Sequence, residues 1–270
     1  MTLPWPPGGR PLVGVIHLPP LPGTPRSPGG GLDPIIERAR ADLAALEAGG
    51  ADGAIVENFG DAPFRKRADP VTVAAMAIVV HELAREARIP LGVNVLRSDG
   101  PAAVAIASLA GAAFIRANVF AGVAFTDQGV IEGEARAILD LRRALGTEVA
   151  VLADVHVKHA VHLDTLEAAA RDAARNGPDA LIVTGGGTGE AADPGGVEAA
   201  RAASGLPVFV GSGIRPENLS LFSKADGFIV GTALKVGGEV AYPVDPDRVK
   251  ELVAVRDSLL QRDSLLQAEG

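Results

Sequence analysis

Four titratable side chains fall just beyond short apolar runs of this chain, where a folded protein could bring them to one surface. His17 closes the run at residues 13–17, Glu57 follows 54–56, Asp154 follows 149–153, and Asp127 lies in the turn-like Thr126-Asp127-Gln128-Gly129. Carboxylates gathered in a cleft can move protons, bind sugar hydroxyls or hold a divalent metal such as Mg2+. His17 adds a group able to contact a ligand or transfer a proton near neutral pH. The same acids could instead form a salt-bridge network with Arg116, Lys158 and Arg97. Asn94, Arg116, Asn118, Lys158, Thr184 and Gly186 stand at or just after further runs and are candidates to orient a substrate.

Two glycine-rich turns supply a second kind of chemistry. Gly211-Ser212-Gly213 follows the run at 208–210, and Gly231-Thr232 follows 228–230. Glycine lets backbone N–H groups come close to an anion, and Ser212 and Thr232 add hydroxyl donors, so the pair suits phosphate. The alternative is that these glycines only permit tight turns. The cluster at 184–189 lacks the Gly-Lys-Ser/Thr of a nucleotide loop and reads as a flexible substrate loop. Lys158 could form a Schiff base, but its place beyond the apolar run argues against it. Lys235 could lend charge to an anion site or simply begin a solvated turn. Of His156, Lys158 and His159 only one or two can face inward, and no zinc motif is present. His81, His162 and the basic Arg65-Lys66-Arg67 read as surface, the last with an anion contact as its alternative.

The positioning elements follow from the spacing of the runs. Eight apolar runs alternate with helix-like segments, and nearly all end in a polar or glycine residue. Continuous apolar runs are typical of parallel strands covered on both faces. Eight such units predict a closed (β/α)8 barrel, the TIM-barrel fold, whose reactive groups sit at the carboxyl ends of the strands; a doubly wound open sheet is the runner-up. Asp-Pro pairs at 33, 69, 193 and 245, Asp99-Gly100-Pro101, and Arg215-Pro216 mark helix starts. Residues 1–270 read as one domain, with a core over about 12–255 and a helical tail at 256–270. The tail holds RDSLLQ twice in tandem, at 256–261 and 262–267, and reads as a duplication lengthening the last helix. The proline- and glycine-rich stretch 19–31 is placed to cover the barrel mouth.

Composition narrows the function classes. A net charge of -8 and the absence of a basic run argue against nucleic acid. With no cysteine, disulfides, thiolate catalysis and cysteine-held metal are excluded. No run approaches the roughly 20 apolar residues of a membrane span, and the start of the chain lacks the order of a signal peptide. The expected compartment is the cytoplasm.

The chain resembles the BtpA/SgcQ family over nearly all of residues 12–255. The resemblance is carried by VIHLPPLPG (15–23), GADGAIVENFGDAPF (50–64), LGVNVLRSD (91–99) and FIRANVFAG (114–122). It continues in TDQGVIEG (126–133), ADVHVKHA (153–160), VTGGGTG (183–189), VGSGIRPEN (210–218) and DGFIVGTALK (226–235). It implies a barrel related to phosphate-binding barrel enzymes, with no settled reaction and no residue roles to carry over. It also implies a proposed membrane-peripheral role in photosystem I biogenesis, while other members accompany sugar-utilisation genes. Two expectations follow. The first is an enzyme acting on a small phosphorylated sugar or nucleoside-like metabolite, by lyase, isomerase or glycosidic-cleavage chemistry. The second is a non-catalytic assembly factor for a membrane complex, associated peripherally with the membrane and presenting an exposed apolar patch. Homo-oligomerisation is compatible with either.

Overall fold

Each apolar run forms a strand in the computed structural model, which describes residues 3–268. In chain order the strands are β1 (Leu12–His17), β2 (Gly53–Glu57), β3 (Leu91–Asn94), β4 (Phe114–Ala117), β5 (Val123–Thr126), β6 (Gly129–Glu132), β7 (Ala150–Val155), β8 (Ala160–Val161), β9 (Ala180–Val183), β10 (Val208–Val210) and β11 (Gly227–Val230). The helices are α1 (Asp33–Gly49), α2 (Pro70–Ala84), α3 (Gly100–Ala110), α4 (Ala135–Ala144), α5 (Leu166–Asn176), α6 (Pro194–Ser204) and α7 (Pro246–Ala268). Strands β1, β2, β3, β4, β7, β9, β10 and β11 are parallel neighbours in that order, and β1 pairs with β11 to close the barrel. The open sheet is therefore excluded.

Strand alternation splits the apolar residues into two cores. Val13, Val15, Ile55, Phe114, Leu152, Ile182, Phe209 and Ile229 fill the barrel interior. Their sequence neighbours, among them Leu12, Ile16, Val56, Ile115, Val151 and Val183, face the helices. Trp5 closes the lower end of the interior. Its ring lies 5.0 Å from Phe114 and 5.9 Å from Phe209, and its Nε1 donates to Asp52 O at 2.7 Å. Arg256, in the first RDSLLQ copy, is buried there with Nη1 2.5 Å from Asp52 Oδ2. Both copies lie in α7, which continues through the tail to Ala268; residues 269–270 lie outside the described residues.

The helix signals hold with corrections. Asp99 and Asp193 cap α3 and α6 by accepting from the Ala102 and Gly195 N–H groups, each at 3.1 Å. Asp33 lies inside α1, and Asp69 stands at the cap of α2 without a side-chain capping bond. The helix expected from Arg215 does not form. The Asn218 side chain accepts from Arg215 N and donates to Gly213 O, both at 2.8 Å. Arg215 O accepts from the Asn218 and Leu219 N–H groups at 3.2 and 3.1 Å, so a turn begins there, but it runs on only into a 3-10 turn at Leu219–Phe222.

Strands β5, β6 and β8 form a small antiparallel sheet outside the barrel, which the sequence reading treats as loop. Its register, Thr126 opposite Gly129, makes Asp127-Gln128 a two-residue hairpin turn. One face packs Ala124 and Ile131 on Val119 and Val157. The other exposes Val123, Phe125, Val130 and Val161. Among the described residues, no helix is long and apolar enough to cross a membrane.

Candidate active site

Alternation within the barrel strands also decides which strand-end residues meet. His17 continues the inward series of Val13 and Val15, Glu57 that of Ile55, Arg116 that of Phe114, and Asp154 that of Ala150 and Leu152. Asn94 is the register partner of Glu57, itself the partner of His17. At the inward positions of Gly211 and Gly231 a Cβ would lie 2.4 Å from Ile182 and 2.8 Å from His17. The upper layer is thus a ring of polar side chains interrupted where glycines leave room.

One arc of this ring is internally bonded. Arg116 Nε and Nη2 donate to the two Asp154 oxygens at 2.9 and 3.0 Å. Asn118 Nδ2 donates to Asp154 Oδ2 at 3.0 Å. Asn94 Nδ2 donates to Asn118 Oδ1 at 2.8 Å and to Arg116 O at 3.0 Å. Burial opposes the Arg116 charge, but the adjoining Asp154 carboxylate overrides it and holds the guanidinium pKa above its ordinary value.

His17 and Glu57 form a looser pair, with Nε2 3.9 Å from Oε1. The imidazole Nδ1 is buried without a protein partner, and the ring packs edge-on against Phe59 at 4.8 Å. Burial, reinforced by Lys235, Lys158 and Arg116, drives the His17 pKa well below its ordinary value. The pair is therefore a neutral imidazole beside a carboxylate rather than an ion pair.

The expected network of acids with Arg116, Lys158 and Arg97 is realised only at Arg116. Among the described residues, neither Lys158 nor Arg97 has a carboxylate within ion-pairing distance; Arg97 Nη2 donates to Lys158 O at 2.5 Å. Burial lowers the pKa of both cations. Lys235 is neither solvated nor at an anion site. It is fully buried, with Nζ 2.8 Å from Asp42 Oδ2.

Two chambers open above the ring. The first, about 510 Å³, is lined by His17, Glu57, Arg116 and Lys158, and by both glycine turns, including Gly211, Ser212, Gly213, Gly231 and Thr232. Gly213, Ile214, Thr232 and Ala233 line this chamber, and their N–H groups donate to no acceptor among the described residues. Ser212 Oγ accepts from Gly185 N at 2.7 Å, bracing the neighbouring loop. The second chamber, about 380 Å³, shares Glu57, Arg116, Lys158 and Thr188 with the first and adds Phe59, Phe64, Leu96, Arg97, Asn118, Asp127, Gln128 and His159.

Four candidates lie outside the chamber walls. Asn94 and Asp154 belong to the bonded arc. Thr184 donates to His156 O at 3.2 Å, and Gly186 O accepts from His159 N at 2.9 Å, so both tie together the loops after β7 and β9. Stretch 19–31 lies beside the mouth rather than over it: Leu21 N bonds Asp61 Oδ1 at 2.8 Å, and Gly23 to Pro25 line a separate small cavity. Asp127 and Gln128 of the hairpin turn line the second chamber instead. Arg65 and Arg67 are solvated, pairing with Asp69 and Glu134. Donor atoms of His156, His162 and Asp164 lie within 4.8 Å of one another and could hold a metal, away from both chambers. The sequence reading missed Phe59, Phe64 and Gln128. The first two stand in the NFGDAPF block, beside Glu57, but aromatic residues in a loop carry no periodic signal.

A closed (β/α)8 barrel with a polar ring and two chambers at the carboxyl end of its strands belongs to a class built around that face. Among solved structures it is similar to a thiamine phosphate pyrophosphorylase from Pyrococcus furiosus, with TM-score 0.58, 17% identity, and 94% of this chain and 98% of that one covered. It is also similar to N-(5'-phosphoribosyl)anthranilate isomerase from the same organism, with TM-score 0.56, 15% identity, and coverage of 92% and 98%. At these identities the likeness concerns the fold. The chain belongs to the BtpA family, which it matches over residues 9–258. An uncharacterized protein of Pyrococcus furiosus is 47% identical over 253 residues, 93% of this chain and 96% of the relative. The photosystem I biogenesis protein BtpA of Synechocystis is 47% identical over 262 residues, 94% of this chain and 91% of the relative.

Proposed function

We propose that the chain is an enzyme acting on a small phosphorylated sugar or nucleoside-like metabolite, with the phosphate in the first chamber. The observation that carries this reading is the set of N–H groups, unpaired among the described residues, on glycine-turn residues that line a chamber also lined by Lys158, which has no carboxylate partner among the described residues. Unpaired N–H groups from successive loop residues form an anion-binding concavity, and an uncompensated cation adds to it. Gly211, Ser212, Gly213, Gly231 and Thr232 shape that end. Glu57, which lines both chambers, and His17, which lines the first, supply a carboxylate and a neutral imidazole for proton transfer. Asp127 brings a second carboxylate to the second chamber. Asp154, Asn94 and Asn118 hold Arg116 in place, while Thr184 and Gly186 brace the loop that carries Lys158. This division of labour suits isomerase, lyase or glycosidic-cleavage chemistry. A divalent ion such as Mg2+ would find the Glu57 carboxylate, beside the first chamber, and the phosphate as hard oxygen ligands.

Thermal unfolding against sugar phosphates, nucleotides and inorganic phosphate, with and without Mg2+, tests the reading. A ligand at about 100 times its Kd adds about 2.7 kcal/mol of stability. Phosphorylated compounds should raise the Tm, and Thr232→Val with Ser212→Ala should reduce the rise. A rise equal in that double variant, or none across the panel, overturns the assignment.

A non-catalytic role in assembling a membrane complex is the second reading. The exposed Val123, Phe125, Val130 and Val161 favour it, as does the name of the Synechocystis relative. The two readings part at Glu57→Gln, which should abolish the biological activity of an enzyme and spare that of an assembly factor.

A further inference from the structure

Arg97 lines the second chamber and not the first. It is 5% exposed, and among the described residues its side chain makes one hydrogen bond, from Nη2 to Lys158 O. Its Nε and Nη1 bond nothing among the described residues, yet they keep accessible surface, as does the Nζ of half-buried Lys158. Gln128 Oε1, by contrast, is unpaired and sealed. The chamber therefore offers open donors on two adjoining cations.

The other charges around it leave those cations uncompensated. Arg116 is matched by Asp154. Glu57 and Asp127 also line the chamber, but neither lies within ion-pairing distance of Arg97 or Lys158. Burial, and after it the positive charges of Arg116 and Arg97, holds the Lys158 pKa below its ordinary value against the pull of Glu57 and Asp154. Desolvated cations without a counter-charge are costly, and a bound anion removes that cost. The rest of the wall is different: Phe59 and Phe64 are half-buried, and Leu96 adjoins them. An apolar wall beside a cationic one fits a molecule with an apolar body and an anionic end. A singly charged carboxylate meets less repulsion from Glu57 and Asp127 than a doubly charged phosphate does.

We infer that the second chamber is a site for an organic carboxylate, its charged end held by Arg97 and Lys158 and its apolar body against Phe59, Phe64 and Leu96. The site goes beyond the phosphate reading and does not rest on it.

Calorimetry on the full chain compares phenylacetate with its neutral counterpart phenylacetamide, and with acetate, which lacks the ring. Phenylacetate should bind about tenfold or more tighter than phenylacetamide, the scale of a charge-assisted contact. It should also bind about tenfold tighter than acetate, through burial of the ring. Arg97→Gln and Lys158→Met should each remove most of the preference over phenylacetamide, and Phe64→Ala most of that over acetate. Arg97 gives a bond to Lys158 O, so circular dichroism checks that its variant folds; Lys158→Met, which keeps the side-chain length, carries the test if it does not. The inference is wrong if phenylacetate does not bind, or if phenylacetamide or acetate binds as tightly. It is equally wrong if the preference over phenylacetamide survives in the folded charge variants. None of these outcomes touches the phosphate reading, which inorganic phosphate tests separately.

Discussion

Arg116 and Asp154 form a bidentate ion pair at 2.9 and 3.0 Å on adjacent strands, with almost no exposure of either side chain. Breaking such a pair from one side leaves an uncompensated buried charge, at a cost of about 3–5 kcal/mol. Asp154→Ala should therefore lower stability by about that amount in urea denaturation. Arg116→Met combined with Asp154→Leu should recover much of it, because apolar residues of similar size replace a buried pair with little loss. Additive single-site costs in the double variant would show that the two residues do not act as a unit.

His17 sets the sign of a pH dependence. Burial and three nearby cations keep it neutral in the folded chain, whereas an unfolded histidine takes up a proton near pH 6.5. Below about pH 6.5 the unfolded state binds more protons, so stability falls as the medium is acidified. The slope from one such group is at most about 1.4 kcal/mol per pH unit. Burial lowers the pKa of His159 and His162 in the same direction, at more exposed positions. His17→Gln should reduce the slope of unfolding free energy between pH 6.5 and 5.0, whatever it does to stability at pH 7. An unchanged slope would remove His17 from this account.

What could be read from the sequence, and what could not, divides along physical lines. A parallel strand buried on both faces reads as an unbroken apolar run, so the polar residue that ends it stands out; His17, Glu57, Asn94 and Asp154 were visible for that reason. Their bonding was not. Arg116 and Asp154 are 38 residues apart in the chain, and Lys235 and Asp42 are 193 apart. Nothing local told that Lys235 is a buried structural cation while Lys158 lines the chambers. The Asp127-Gln128 turn was read as loop because its strands are four residues each and half exposed, with too little alternation to register. After Arg215 the start signal was legible, since Arg215 O accepts from Leu219 N, but how soon the turn ends in a short 3-10 stretch was not.

Trp5 carries a prediction about a segment that the strand pattern leaves out. It packs in the interior core with Phe114 and Phe209 and sits where Gly53 has no side chain; a Cβ there would lie 2.8 Å from its ring. Trp5→Ala should cost about 3–5 kcal/mol, the range for deleting a large buried aromatic. Gly53→Ala should also destabilise, by pushing the same ring out of place. Chemical denaturation of the two variants checks both. A Trp5→Ala loss under about 1 kcal/mol, the scale of ordinary surface changes, would mean that the segment is not part of the core.

Lys158 is the position where binding and stability should pull apart. Burial lowers its pKa, and it has no carboxylate partner among the described residues to offset the cost of desolvating its charge. A side chain kept for ligand binding under those conditions burdens the unliganded fold. Lys158→Met keeps the length and removes the charge, so the variant should unfold at a higher Tm than the parent without ligand. The same change should weaken inorganic phosphate binding about tenfold or more, since a charge-assisted contact is lost from a partly dry chamber. Raising salt from 50 to 500 mM should weaken phosphate binding to the parent more than to the variant, because screening acts on the contact the variant lacks. A Tm that falls together with the affinity would instead assign Lys158 a packing role, and the anion site would then rest on the backbone N–H groups.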